Sequence, residues 1–592
     1  MSSMNPHTVS RRGFLGLAGA ASVFAGLGLA GCGGKEEGAG SAPVALDVEP
    51  ANGTPANTPL DQIPMPEVGG VYNNSKKRDE VKDGGELVLS IGEVGPCWNY
   101  YNVNGGTTYI LTMWNLYMPM LMDSDATGSK FTPNPNYVES FEVDDSTGKQ
   151  VVKITMNPDA VFNDGTPIDY RAFETVWKCC CGENDAYACA STDGFNQVES
   201  IVQGEKANDV VITMAKPYYP AEALWSTVLH PASLDPEVFN NGWNNNPHVE
   251  WGAGPFEIES FDDTHAVFVP NKAWWGDAPK LEKVTFKQME AQAIINAFKN
   301  GEIDATDVTT GSAEILSNFL DMEDAEIRRG YSSAIACIEI NTTRESTQDV
   351  AVRKAFAQCL HMPTIVEIIY KGVNWEEKPC GSIILPPWMD GYENNMPEDV
   401  QKLKDAKEHT EAARKTLEDA GYTLNGDYYE KDGKVAGFGF VLFGDSNTVK
   451  NRAAAFQKMA KDAGIKLDLI TKASADFSKT ISSGEWDSLL LGWNGTPTSF
   501  NNGGQLYGSE SESNFTQYGS AEIDEMMAEV PTVSDHKKQL KLVNDAEKLA
   551  MEGCAIIPIF CGADVVATKK GLANYGPALF LSVHAEDMGW AK

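Results

Sequence analysis

Twice in the last third of this chain a helix-length segment runs with no spacer into a short apolar strand. That order constrains the fold more than any other feature. Asn447–Gly464 opens on Asn, stops on Gly, and is followed at once by Ile465–Ile470. Asp535–Gly553 runs likewise into Ala555–Phe560, and Ser520–Val530 reads as a further helix. Helices alternating with short strands mean α/β architecture. With 592 residues, 42% of them hydrophobic, the chain can bury large cores. Its length suggests about three or four domain-sized units. A formal charge of −36 argues against a nucleic-acid partner, which calls for clustered Lys and Arg, and leaves the charge of a local site open.

The N-terminus reads as an address. Ser10-Arg11-Arg12-Gly13-Phe14-Leu15 precedes an uncharged run, Gly16 to Gly31, too short and too rich in small residues for a membrane span. The Arg pair followed by Phe-Leu resembles a twin-arginine export signal. Leu29-Ala30-Gly31-Cys32 resembles a lipobox, which makes Cys32 the expected lipidated first residue of the mature protein; the alternative is an ordinary cleaved signal with an incidental Cys. Residues 32–83 lack an apolar period and are rich in Gly, Ala, Pro and Asn, so a disordered tether is expected there. As a coil of about 50 residues it would span roughly 40 Å.

The body begins with Glu86–Gly92, a strand by alternation, which leads into the aromatic and polar Pro96-Cys97-Trp98-Asn99-Tyr100-Tyr101. Tyr109–Met122 is a helix-length apolar stretch, Val151–Met156 a strand, and Asp169 an N-cap for a helix through Lys178. Ser488–Leu491 is long enough for one buried strand, and Gly492, Trp493, Asn494, Gly495 and Pro497 are expected to end it. The crevice beyond strand ends is where open α/β sheets hold ligands. A Trp and an Asn between two glycines supply a stacking face, a polar handle and a closely approachable backbone there. The competing reading is a buried Trp beside a tight turn.

Phe162–Trp177 (FNDGTPIDYRAFETVW) resembles the signature of the peptide/nickel family (family 5) of extracellular solute-binding proteins, the receptors of ABC importers. The resemblance continues in order through Gly252-Ala253-Gly254-Pro255-Phe256, Pro270–Gly276, Ala297–Asp304, Ile338–Thr342 with Asp349–Phe356, Ala413–Tyr422 and Ala555–Phe560, and covers roughly residues 84 to 592. It implies a two-lobed α/β fold of the periplasmic-binding-protein type (type II, cluster C) with a hinge and an inter-lobe ligand cleft. The lobes it implies are 84–335, with an inserted subdomain at about 122–245, and 336–556, with 557–592 returning to the first.

By the same resemblance the function is capture without catalysis, with no cofactor. The expected partners are a small-molecule solute, the permease and ATPase subunits of an importer, and the outer face of the cytoplasmic membrane through the lipid anchor, with the receptor itself a monomer. The expected ligand-binding residues are Trp98, Asn99, Tyr101, Ala253 and Gly254 from the first lobe and Trp493, Asn494, Phe500 and Phe560 from the second and its return. Peptide-binding relatives carry an acidic residue between Gly-Trp and Pro-Thr-Ser-Phe to pair with the peptide amine. Here no Asp or Glu lies between Trp493 and Phe500. An unpaired buried ammonium would be costly. Either another group takes the amine, with Glu93 one candidate, or the solute is neutral or sugar-like. An envelope enzyme is the rival class.

Of eleven cysteines, setting Cys32 aside leaves ten. Cys179-Cys180-Cys181 with Cys189 lacks the two-residue gap of zinc knuckles, which leaves a Cys181–Cys189 or Cys179–Cys189 bridge, or reduced thiols. The eight histidines show no metal-ligand spacing, and no metal is expected.

Overall fold

The computed structural model describes residues 53–592 apart from 96, 103, 147, 290, 307–310, 444–446, 473–479, 482, 510 and 512–513. The expected export signal, Cys32 and the first part of the tether lie outside the described residues.

Two apolar cores organise the chain. One gathers Leu87, Trp114, Phe162, Phe173, Trp243 and Phe268, and the other Ile338, Phe356, Phe440, Phe456, Leu489 and Val543. Around the first, Glu86–Ile91 pairs in parallel with Lys283–Gln288, and His265–Pro270 and Phe256–Phe261 add antiparallel strands. A four-stranded antiparallel sheet, ordered 138–144, 151–156, 209–214 and 198–203, forms an inserted subdomain. Helix Tyr170–Cys180 belongs to it, and the Asp169 carboxylate caps that helix by accepting from Arg171 N–H. Around the second core, five strands run in the order 466–472, 437–443, 488–494, 334–340 and 556–560.

Two strands tie the cores together. Ala325–Tyr331 and Ala563–Lys569 pair antiparallel, and Ala305 bridges the latter to Glu86–Ile91, so both belong to the first lobe's sheet. Each continues after two residues into a strand of the second lobe: 332–333 lead to Ala334–Ile340, and Ile556–Phe560 returns through 561–562. The chain therefore crosses between lobes twice, side by side. Ile556–Phe560, assigned from sequence largely to the first-lobe return, pairs instead with Ala334–Ile340 in the second lobe's sheet.

The crossover at 561–562 turns at a glycine. Gly562 holds φ +80°, a conformation that glycine adopts without steric cost. Its N–H and that of Cys561 both donate to the Glu377 carboxylate, at 3.1 and 2.9 Å. Trp388 Nε1 donates to the Ser332 carbonyl at 2.6 Å, and Gly495 N–H to that of Ser333 at 3.0 Å. Hinges of this kind are a few element-terminal residues that absorb the φ/ψ change.

Two expectations fail here. Residues 53–83 are not a tether. Thr54–Pro55 pairs with Glu326 and Ile327, the buried Arg329 donates to the carbonyls of Ile63 and Pro64, and Tyr72 N–H donates to Pro577. A segment without its own apolar period is ordered by partners far along the chain. The strand at Ser488 also does not stop at Gly492. It runs to Asn494, because Gly492, Trp493 and Asn494 pair with Ala336, Ile335 and Ala334.

Candidate functional site

The sequence-selected residues of the first lobe come together, but as core. Trp98 is 1% exposed, edge-on to Tyr117 and Phe261, and its carbonyl accepts from Trp114 Nε1. Asn99 is fully buried, with Nδ2 donating to the Phe239 carbonyl and Oδ1 accepting from Tyr101 N–H. Tyr101 donates its hydroxyl to the Thr227 carbonyl at 2.7 Å, and burial pushes its phenol well above the ordinary range. Ala253 and Gly254 both donate backbone N–H to the Tyr117 carbonyl. A Cβ on Gly254 would sit 2.5 Å from the Leu116 carbonyl oxygen, so the glycine permits backbone contact rather than ligand contact. All five stabilise the first lobe, and none of the contacts described for them reaches the second.

In the second lobe, Gly492, Ala336 and Phe560 form one row across the sheet. Trp493 lies 5.7 Å from Phe515 in a stacked pair and donates Nε1 to Glu339 Oε1 at 2.8 Å. Burial lifts the Glu339 carboxyl to about 8, and the Trp493 bond opposes the rise. Phe560 is buried beneath the Arg452 guanidinium, and Phe500 is buried edge-on to His536. Asn494, at the strand end beside the crossover, keeps partial exposure. Aromatics chosen as ligand platforms thus serve as packing, since an aromatic next to a glycine reads the same in either role.

One opening between the inserted subdomain and the second lobe lies beside Phe500, at the residue after it. Here the inserted subdomain meets the second lobe through Tyr219. Its N–H donates to the Pro531 carbonyl at 2.8 Å, and its carbonyl accepts from Asn501 Nδ2 and Gln539 Nε2, both at 2.9 Å. On the crossover side Gly128 lies against Pro497, and Trp388 faces Phe580 at 6.0 Å. The lobes are closed on each other. Next to the Tyr219 contact they leave a cavity of about 380 Å³ whose walls include Asp193, Gln197 and Tyr218 on one side and Asn501, Asp524 and Met527 on the other. Its size falls within the range of small-molecule sites. Sequence reasoning missed these residues. They lie in unrelated segments, and only the adjacency of Asn501 to Phe500 pointed that way.

Glu93, half-buried, has its carboxyl raised by burial. The ten described cysteines are all free thiols, so neither proposed bridge is formed, and the thiol next to that of Cys189 is Cys180. Among the described residues no group of three or more His, Cys, Asp or Glu is placed to hold a metal, and no helix is long and apolar enough to cross a membrane.

Comparison with known proteins places this geometry. Residues 132–515 match the profile of "Bacterial extracellular solute-binding proteins, family 5 Middle". The oligopeptide-binding protein OppA of Mycobacterium tuberculosis is 29% identical over 511 residues, which is 85% of this chain and 84% of that protein. Among solved structures, the periplasmic EDTA-binding protein EppA superposes with a TM-score of 0.78 at 22% identity, covering 88% of this chain and 98% of that one. The oligopeptide-binding protein AppA of Bacillus subtilis, solved with a nonapeptide, gives 0.71 at 19% identity, covering 86% and 100%. These relatives are solute-binding proteins, not enzymes.

Proposed function

Because this chain belongs to the family 5 bacterial extracellular solute-binding proteins, we propose that it captures a peptide or peptide-like solute between its two lobes and delivers it to the permease of an ABC importer. The observation that carries the reading is the paired crossover at 332–333 and 561–562 with a cavity between the lobes it joins. A solute favours closure only as far as it binds the closed form better than the open one, which requires contact with both walls. The cavity has such walls. The oligopeptide-binding relative of similar length supports a peptide as the solute class.

The anchoring follows from the N-terminal segment. Cys32, behind Leu29-Ala30-Gly31 and the Arg11-Arg12 signal, carries the lipid and holds the receptor at the outer face of the cytoplasmic membrane. Residues 53–83 are docked on the body, so the expected tether does not include them. Fractionated cells should show the chain with the membrane, and a Cys32→Ala variant should leave it.

The test of the solute class is a thermal-shift screen of tri- to nonapeptides, oligosaccharides and nickel chelates, with product analysis. A solute at about a hundred times its Kd should stabilise the chain by about 2.7 kcal/mol. The reading expects peptides to stabilise and to be recovered intact. Turnover of any hit overturns it, and so does stabilisation by sugars alone.

A further inference from the structure

A segment ahead of the first lobe's sheet fastens to both lobes at a single carbonyl. Residues 54–64 begin as a strand edge: Thr54 and Pro55 pair with Ile327 and Glu326, and Ala56 N–H donates to the Ala325 carbonyl at 3.0 Å. The Ile63 carbonyl then accepts from Arg329 Nη2 of the first lobe and from Asn374 Nδ2 of the second, both at 2.9 Å. The Leu60 carbonyl accepts from Asn374 N–H at 3.0 Å, and the Pro64 carbonyl from Arg329 Nη2 at 2.6 Å. Ala56 and Ile63 are buried in the apolar cluster that also holds Ile327 of one lobe and Tyr370 of the other.

The contacts run on from there to the crossovers. Arg329 lies on Ala325–Tyr331, the strand that leads into 332–333, and its guanidinium faces the Trp375 ring at 5.4 Å. Trp375 Nε1 donates to Glu377 Oε2 at 2.7 Å, and Glu377 Oε1 accepts the Cys561 and Gly562 N–H groups of the other crossover. The crossovers also bond each other, with Cys561 Sγ donating to the Ser332 carbonyl at 2.9 Å. Residues 374–377 thus connect the segment at 54–64 to the crossover glycine. Arg329 is 5% exposed, and among the described residues its Nε and Nη1 have no hydrogen-bond partner. A buried cation depends on the few acceptors it has, and here these are the Ile63 and Pro64 carbonyls.

We propose that residues 54–64 form a strap that braces the hinge: by holding Arg329 and Asn374 at one carbonyl, it ties the lobes together beside the crossovers and limits how far they open without a solute. The proposal rests on the solute-binding reading, in which the lobes turn about the crossovers, and adds a control on that motion. A turn about 332–333 and 561–562 moves Asn374 relative to Arg329, so the Ile63 carbonyl cannot keep both bonds through a wide opening. Each bond that opening breaks favours the closed arrangement and lowers the cost of closure, whatever the solute.

The test is hydrogen exchange on the chain without its signal peptide, free of solute, in the parent, Asn374→Ala, Arg329→Met and the double variant. Asn374 is exposed, and methionine keeps much of the length of Arg329 while removing its donors. Each single change should speed exchange of the Cys561 and Gly562 amides by about two- to tenfold, the equilibrium worth of one ordinary hydrogen bond. Because one carbonyl serves both partners, the double variant should exchange little faster than the faster single variant. The free double variant should also show a larger radius of gyration than the free parent in small-angle scattering, while Gly437–Phe443 inside the second lobe keeps the parent's exchange. Unchanged exchange at 561–562 in both single variants, additive effects in the double variant, a rise shared equally by Gly437–Phe443, or an unchanged radius of gyration overturns the brace. Neither readout uses a solute, so that failure leaves solute capture standing. Failure of every solute in the thermal-shift screen would overturn the peptide reading and leave the brace to stand or fall on exchange and scattering.

Discussion

Replacing Glu547 with alanine will destabilise the second lobe by about 3–5 kcal/mol, the cost of breaking a buried, fully engaged charged group. The side chain is 1% exposed on helix His536–Met551. Its carboxylate accepts from the Ser382 hydroxyl at 2.5 Å, Ile383 N–H at 2.9 Å, Asn395 Nδ2 at 2.7 Å and the Tyr507 hydroxyl at 2.9 Å. Burial raises its pKa, and each of these bonds works against the rise. Alanine would leave four donors facing a void. The effect should reach the hinge, because the segment that Glu547 holds also carries Trp388, whose indole donates to Ser332. Glu547→Gln turns one carboxylate oxygen into an amide that faces two of these four donors and should lose part of the same energy. Urea unfolding followed by tryptophan fluorescence reads the change as a shift of the second lobe's transition; two lobes need not unfold as one unit. A loss under about 1 kcal/mol for the alanine variant would show that this hub does not hold the lobe together.

Glu339→Gln should do the opposite above neutral pH. The Glu339 carboxyl is 1% exposed, with Oε2 lacking a partner and Oε1 accepting from Trp493 Nε1. Its pKa stands at about 8 in the fold against 4.5 for the free side chain, with burial as the main cause. A raised carboxyl contributes its stability in full below the unfolded pKa. As pH rises toward 8 the unfolded chain ionises and the folded one resists, so stability falls by about 1.4 kcal/mol per pH unit. Over that window the loss is roughly 5 kcal/mol at most. Glutamine keeps an acceptor for Trp493 and removes the titration. The variant should therefore match the parent near pH 4.5, exceed it by a few kcal/mol at pH 8.5, and show a flatter stability profile between. Parallel profiles for the two proteins would mean that Glu339 is ionised in the fold at no cost.

Most of the secondary structure could be read locally. Asp169, Ser520 and Asp535 announce helices that the structure begins one residue later, each cap accepting from the first turn. The order of seven motifs was enough to place the chain in its family, and the fold follows from that. What local pattern could not give is which side of a wall a residue faces. Trp98, Asn99 and Trp493 looked like a cleft because aromatic and amide groups beside glycine suit ligands, but the same groups satisfy one another inside a lobe. The strand through Gly492 continued because its antiparallel neighbour supplies partners that the sequence near it cannot reveal. Residues 53–83 became ordered for the same reason, through Arg329 and Glu326. Asp193 and Asn501 carry no motif at all. They meet only because Tyr219 docks on the second lobe.

The central claim is that two lobes, connected by the crossovers at 332–333 and 561–562, close over a solute beside the Tyr219 contact. Small-angle scattering of the chain without its signal peptide, recorded free and saturated with a peptide identified by the thermal-shift screen, addresses it directly. The account predicts a bound radius of gyration matching the closed structure and a larger one for the free chain, with the difference reduced in an Asn501→Ala variant that weakens the Tyr219 contact. A peptide that binds tightly while leaving the scattering curve of the free chain unchanged would contradict it.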